Sequence, residues 1–99
     1  MRSRDDVINY LAENKTRLKK KYRLTKIGIF GSMARTDHTE SSDIDLIVEF
    51  EDNVQDLFEL KHEIRQEIGS HFNRQVDICR EKYINKHFRD QILSEAVYV

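Results

Sequence analysis

Two short motifs, separated by ten residues, constrain this 99-residue chain more than any other feature. Gly31-Ser32 follows one apolar run, and Asp43-Ile44-Asp45 opens a second. Both runs are rich in β-branched residues and bounded by turn-forming residues, which predicts two β-strands. Because side chains alternate across a strand, Asp43 and Asp45 should project from one face with Cα atoms about 6.6 Å apart.

The two motifs carry residue types that hold a nucleotide and its metal ions. Paired carboxylates can share the divalent cations that accompany a nucleotide's phosphates. Gly31 allows close backbone approach, and Ser32 can cap a short helix whose free N–H groups would bind phosphate. Arg35 either faces those phosphates or braces an acidic loop residue. Each motif alone is common in turns and acidic loops, but the pair, each at the correct end of a strand, favours a nucleotide site. A shared ligand requires the two strands to be antiparallel.

Asp77 is the candidate for a third carboxylate. It lies in an alternating run, residues 75–79, that predicts a third strand, and an aspartate within a strand is unfavourable without a reason. If this strand lies beside the second, Asp77 can join the two upstream aspartates as a metal ligand and as the base that accepts a hydroxyl proton. The alternative is an edge-strand aspartate paired with Arg74 or Arg80.

Apolar residues at helical spacing predict three helices, over residues 4–22, 54–68 and 83–96. Asn14 weakens the first stripe, and Gly69 is expected to end the second helix. The apolar tail, residues 97–99, either adds to the sheet or contacts a partner. Arg65 and His71 have the spacing of some ribonuclease motifs, which we interpret as coincidence because the helix should end between them.

Composition limits the classes of function. The net charge of −1 argues against a general nucleic-acid binder, so direct nucleic-acid binding is not expected. No apolar run reaches transmembrane length and the N-terminus is too polar for a signal peptide, so we expect a cytoplasmic protein without membrane contact. The length predicts one domain spanning residues 1–99. The basic residues of 15–23 form either a solvated helix end or a dock for an acidic partner or for phosphates.

GSMARTDHTESSDIDLIVEF, residues 31–50, followed by RQVDIC, residues 74–79, resembles the polymerase-beta-like nucleotidyltransferase superfamily. It is most similar to the minimal nucleotidyltransferase (MNT) antitoxins, which act beside HEPN-domain toxins. The resemblance covers nearly the whole chain, including the closing SEAVYV. It implies an α+β nucleotidyltransferase fold, with a small mixed three-stranded sheet, strands one and two antiparallel, packed with helices. Thr36 departs from the glycine that the family often has there.

The resemblance also assigns residues to roles. The implied nucleotide-binding residues are Gly31, Ser32, Arg35 and Ser42. The implied catalytic residues and metal ligands are Asp43, Asp45 and Asp77. The implied cofactor is Mg²⁺, as two ions, with ATP as the substrate.

The chemistry implied by the family is attack by a hydroxyl on the α-phosphorus of a nucleoside triphosphate, with release of pyrophosphate. A chain of this size has little room for an acceptor pocket, so the acceptor is expected to be a docked protein. For an MNT antitoxin this means transfer of AMP to a hydroxyl, expected to be a tyrosine, of a HEPN-domain toxin. The alternative is a non-catalytic antitoxin that occludes its toxin. A small-molecule transferase is a third possibility, but there is no substrate domain.

Overall fold

The computed structural model describes residues 4–31 and 43–99. The elements, in order, are α1 (Arg4–Glu13), α2 (Lys15–Tyr22), β1 (Leu24–Ile29), β2 (Ile44–Phe50), α3 (Leu57–Phe72), β3 (Val76–Arg80), a 3₁₀ turn (Glu81–Tyr83), α4 (Arg89–Glu95) and β4 (Val97–Tyr98). The strands form a sheet in the order β3-β2-β1-β4. β1 is antiparallel to both β2 and β4, whereas β2 and β3 are parallel.

The predicted mixed α+β fold with antiparallel first strands is confirmed, but the predicted count of three strands is wrong. The C-terminal tail supplies a fourth strand, since β4 pairs with β1 through Gly28 and Ile29. Gly28 makes this pairing possible, because a Cβ there would lie only 2.4 Å from the carbonyl oxygen of Val97. The Val99 N–H also donates to the Ile27 carbonyl over 3.1 Å. The tail was expected either to add to the sheet or to contact a partner, and the structure shows that it adds to the sheet.

The first predicted helix is two helices, which meet at Asn14. The Asn14 side chain donates to the Tyr10 carbonyl oxygen over 2.8 Å, and the Asn14 backbone N–H donates to the same oxygen over 3.0 Å. Asn14 itself has φ −105° and ψ 10°, outside the helical range. Asparagine side chains compete in this way for backbone hydrogen bonds, so the axis breaks where the sequence stripe weakens.

The second predicted helix begins and ends later than expected, at Leu57 and Phe72. Gly69 does not terminate it. Asn73, with φ 53°, is the left-handed residue that closes the helix, and its N–H donates to the Gly69 carbonyl. A Cβ on Gly69 would lie 2.9 Å from the Arg74 carbonyl oxygen, so the glycine allows the departing chain to pass close to the helix.

Arg65 and His71 therefore lie on one continuous helix, and the expectation that the helix ends between them is wrong. Six residues in an α-helix correspond to about 240° of rotation, so the two side chains leave different faces. His71 stacks on Tyr10, with ring centroids 4.2 Å apart. The histidine contributes to packing between α3 and α1. This agrees with the interpretation that its ribonuclease-like spacing from Arg65 is a coincidence.

The last predicted helix is much shorter than the expected residues 83–96. Tyr83 and Phe88 precede α4 and are 69% and 55% exposed, so neither contributes to a buried stripe. The Tyr83 ring instead lies against the guanidinium of Arg80, at 4.8 Å. This cation–π contact accompanies a 3₁₀ turn where the sequence pattern favoured an α-helix.

The hydrophobic core lies between one face of the sheet and helices α1, α2 and α3. From β2, the core receives Ile44, Leu46, Val48 and Phe50. From the helices, it receives Val7, Leu11, Leu18, Tyr22, Ile64, Ile68 and Phe72. Because strand side chains alternate, Asp45 projects from the opposite face of the sheet, away from this core. Within the part of the chain that the structure describes, no helix has the length and hydropathy needed to cross a membrane.

Candidate active site

Gly31 stands two residues after the end of β1 and lies against the carboxylate of Asp45. Its φ of +70° belongs to the left-handed region that favours glycine. A Cβ on Gly31 would lie 2.5 Å from Asp45 Oδ2 and 3.3 Å from its Cγ. One residue earlier, the Phe30 N–H donates to the Asp45 carbonyl oxygen over 2.9 Å. The structure thus brings Gly31 and Asp45 together at one edge of the sheet.

Asp45 and Asp77 are register partners on the parallel strands β2 and β3. Residues directly opposite each other on neighbouring strands share a face, with strands about 4.8 Å apart. Asp43 immediately precedes β2, and alternation places it on the same face as Asp45. The Ile44 N–H donates to the Gln75 carbonyl oxygen over 2.9 Å, which holds the starts of the two strands together. The backbone therefore places all three predicted carboxylates at one edge.

Asp43 and Asp77 are exposed to solvent. Among residues 4–31 and 43–99, neither side chain forms an ion pair or a hydrogen bond. The alternative pairing of Asp77 with Arg74 or Arg80 is therefore not observed. Arg80 instead pairs with Glu49, with Nη2 and Oε2 2.8 Å apart. Ion pairing with these arginines therefore does not explain why an aspartate stands within this strand.

The three aspartates offer oxygen donors, which are the ligands that Mg²⁺ prefers. In the described ranges, no three His, Cys, Asp or Glu side chains are already grouped closely enough to hold a metal ion. Two of the three are nonetheless register partners, and short carboxylate side chains on adjacent strands can converge through rotamer changes. The backbone placement fits a divalent cation, which would draw the carboxylates together.

The other predicted nucleotide-binding residues are Ser32, Arg35 and Ser42, and they lie outside the described residues. Their roles, and the short helix expected after Ser32, stay predictions. The phosphate contact assigned to Gly31 also stays a prediction, although its conformation and position are described.

A groove of about 490 Å³ lies beside β3, and the sequence analysis did not identify it. It is lined by α3 residues between His62 and Ser70, by the turn at residues 73–75 and by Val76. The one sequence signal was Gly69, which was interpreted as a helix terminator. It permits the close approach of Arg74, and both residues line the groove. The remaining lining residues are ordinary surface types in a sequence.

Comparison with known proteins agrees with this architecture. Residues 11–99 match the nucleotidyltransferase domain family. A Methanocaldococcus jannaschii protein, provisionally named a protein adenylyltransferase, is 33% identical over 100% of both chains. A solved structure, provisionally described as a minimal nucleotidyltransferase, has a TM-score of 0.77 and 25% identity, covering 97% of this chain and 95% of that one. The crystal structure of a toxin–antitoxin with AMP-PNP contains a chain with a TM-score of 0.66 and 20% identity, covering 87% of this chain and 69% of that one.

This chain belongs to the nucleotidyltransferase domain family. The resemblance inferred from the sequence motifs is thereby confirmed, and the fold is that of a minimal nucleotidyltransferase.

Proposed function

We propose that this chain is a Mg²⁺-dependent protein adenylyltransferase and the antitoxin of a toxin–antitoxin pair. It transfers AMP from ATP to a hydroxyl, expected to be a tyrosine, of a HEPN-domain toxin. The observation that carries the proposal is the position of Asp45, which lies against Gly31 on one side and is the register partner of Asp77 on the other. A phosphate-binding loop, a metal ligand and a proton acceptor then follow one another along the edge of the sheet.

The reaction follows from this order. The acceptor oxygen bonds to the α-phosphorus of ATP, the bond to the β-phosphate oxygen breaks, and pyrophosphate leaves toward Gly31. The Asp77 carboxylate takes the hydroxyl proton. Mg²⁺, held by Asp43, Asp45 and Asp77, would supply neutralisation of the phosphate charge. Such transfer depends on positioning and charge more than on covalent catalysis, and that suits a small open site.

Two comparisons support the nature of donor and acceptor. The M. jannaschii relative that is 33% identical is named for protein adenylylation. The fold neighbour with AMP-PNP belongs to a toxin–antitoxin, which supports an ATP-like donor and a toxin partner. Because the donor is ATP, we place the reaction in the cytoplasm. The whole chain, residues 1–99, would act as a single catalytic domain whose acceptor pocket is completed by the partner.

One observation favours the second candidate, an antitoxin that works by occlusion alone. The described residues hold no preassembled group of three metal ligands, which is also expected of a site that has lost its activity.

Transfer and occlusion differ in what happens to ATP. If transfer is correct, label from the α-phosphate of ATP should appear on the co-purified partner, and label from the γ-phosphate should leave as pyrophosphate. Label from the γ-phosphate on the partner would indicate a kinase, and label from neither would support occlusion.

Metal and nucleotide binding should depend on each other. Clustered carboxylates repel one another, and a divalent cation relieves that repulsion while bridging to the phosphates. We expect ATP with Mg²⁺ to raise Tm by roughly 5–10 °C at about ten times Kd, and ATP with a chelator to have little effect. The double variant Asp43→Asn with Asp45→Asn should lose the shift.

The matched control for this thermal-shift measurement is Asp52→Asn with Asp90→Asn, since both aspartates are exposed and lie elsewhere in the chain. The control should keep the full shift. An undiminished shift in the Asp43/Asp45 double variant would place the nucleotide at another site.

A further inference from the structure

The groove beside β3 is basic. Its lining contains Arg65, Arg74 and His62, and it contains no aspartate or glutamate. The chain as a whole has a net charge of −1, so a lining with two arginines and no carboxylate does not follow from overall composition. A local basic groove in a protein of nearly balanced charge indicates a preference for a negatively charged ligand.

Arg65 gives the groove a cation that the fold does not use. The side chain is half-buried on α3. Across the described residues, it forms no ion pair and no hydrogen bond. Arg17 and Lys21, by contrast, both pair with Glu67 of α3, at 2.7 and 3.2 Å. Arg65 is therefore available to a ligand in the groove.

The groove lies on the side of the site where the acceptor must enter. Gly31, Asp45 and Asp77 follow one another across β1, β2 and β3, and β3 is the outer strand of this row. Because in-line displacement puts the attacking and leaving oxygens on opposite sides of the phosphorus, a leaving group at Gly31 places the nucleophile beyond Asp77. The groove reaches Gln75 and Val76, the two residues before Asp77.

The core-facing side of β3 carries Val76, and Asp77 projects from the other face. A chain segment in the groove reaches the aspartates by crossing the outer edge of β3, which in the described sheet pairs with β2 alone. That crossing is short, since a strand is about 5 Å wide in the sheet. A segment of a few residues can span it.

We propose that the groove binds an acidic segment of the acceptor protein and thereby delivers the neighbouring acceptor hydroxyl to Asp77. The proposal rests on the proposed function, because it assumes that a protein hydroxyl is the nucleophile. The groove then determines which proteins are modified. Catalysis stays with the three aspartates, and Arg65 acts as a specificity residue that contacts the acceptor.

The test uses the full chain and two labelled synthetic peptides. One peptide carries a tyrosine flanked by glutamates, and the other carries glutamines in their place. Fluorescence anisotropy measures binding without ATP, so this measurement does not depend on transfer. The acidic peptide should bind about tenfold more tightly, as one charge-assisted hydrogen bond would provide. Arg65→Glu should abolish the preference for the acidic peptide. Arg65→Gln removes the charge without reversing it, so it keeps the test valid if Arg65→Glu does not fold, and it should weaken the preference.

Lys20→Glu is the matched control, because it makes the same charge change at an exposed position of α2 outside the groove. It should keep the preference for the acidic peptide. Equal binding of the two peptides, or an unchanged preference in both Arg65 variants, would overturn the proposal. Loss of the thermal shift with ATP and Mg²⁺ in the Arg65 variants would also overturn it, since the groove would then hold the nucleotide.

A second measurement separates this proposal from the proposed function. ATP and Mg²⁺ are added, and the intact mass of each peptide is read. Binding that depends on Arg65, without added AMP, would support the groove and contradict the transferase. AMP added equally to both peptides, and equally by the Arg65 variants, would support the transferase and contradict the groove.

Discussion

Replacing Glu67 by glutamine is expected to lower the free energy of unfolding by about 2 kcal/mol at pH 7. Glu67 lies on α3 and receives hydrogen bonds from four side chains of α1 and α2. The donors are Tyr22 at 2.6 Å, Arg17 at 2.7 Å, Tyr10 at 3.0 Å and Lys21 at 3.2 Å. The carboxylate is 19% exposed, whereas the Arg17 and Lys21 side chains are about half-exposed, so part of the attraction is screened.

The pH dependence of stability should identify this network. The hydrogen bond from Arg17, with those from the neighbouring donors, lowers the pKa of Glu67 from 4.5 to about 2. A carboxyl group whose pKa is depressed by folding adds stability that is fully present above its unfolded pKa and is lost as the pH falls toward its folded pKa. The difference between wild type and Glu67→Gln should be constant above about pH 5 and should shrink as the pH falls from there toward 2.

Urea unfolding at several pH values measures this difference, and Glu63→Gln is the control. Glu63 lies on the same helix and is exposed, and within the described ranges its side chain has no ion pair. Its substitution should change the free energy of unfolding by less than about 0.5 kcal/mol. A loss at Glu67 no larger than at Glu63, or one independent of pH, would show that the network does not join α3 to the first two helices.

Substituting Gly31 by valine is expected to reduce AMP transfer by about a hundredfold or more. The first reason is conformational, since a β-branched residue at φ +70° is strained. The second is steric, because the new Cβ would lie 2.5 Å from Asp45 Oδ2 and would displace the carboxylate proposed to bind the metal. An error of about 1 Å in a reacting group has an effect of this size.

Gly31→Ala provides the graded comparison, because it adds the same Cβ without the branch. Transfer rates for the three proteins should fall in the order Gly, Ala, Val. The midpoint of thermal unfolding should fall by only a few degrees, as one strained backbone position would cause. Activity of Gly31→Val equal to wild type would rule out the assignment of Gly31 to the phosphate loop.

The core of the site could be predicted because its signals are local. Gly31 and Asp45 mark the ends of two apolar runs, and the need to share one ligand sets the strand directions. The parallel pairing that makes Asp45 and Asp77 register partners does not follow from that requirement, and only the family resemblance, which implies a mixed sheet, indicated it. The inferences about Gly31 and Asp45 use only side-chain alternation and turn chemistry, which operate over a few residues.

The features that could not be predicted depend on contacts between distant parts of the chain. Glu67 is one of many glutamates in the sequence, and its role follows from four donors that are 45 to 57 residues away. For the same reason, the basic residues of 15–23 did not reveal that Arg17 and Lys21 serve this carboxylate. Gly69 illustrates a second cause of error. Because glycine is common at helix C-termini, a glycine near a helix end predicts termination. Here the glycine instead allows the chain at Arg74 to pack closely against the helix.

The central claim, that this chain adds AMP to its partner, is tested most directly by the intact mass of the partner protein. The purified partner is mixed with ATP and Mg²⁺ and with either wild type or Asp77→Asn. Because the change is nearly isosteric and Asp77 is exposed, the variant should fold and bind the partner. An amide cannot accept the proton or hold the metal as a carboxylate does. We predict added adenylate groups with wild type alone. If neither protein changes the partner's mass, and both silence it at equimolar ratio, the antitoxin acts by occlusion and the account is contradicted.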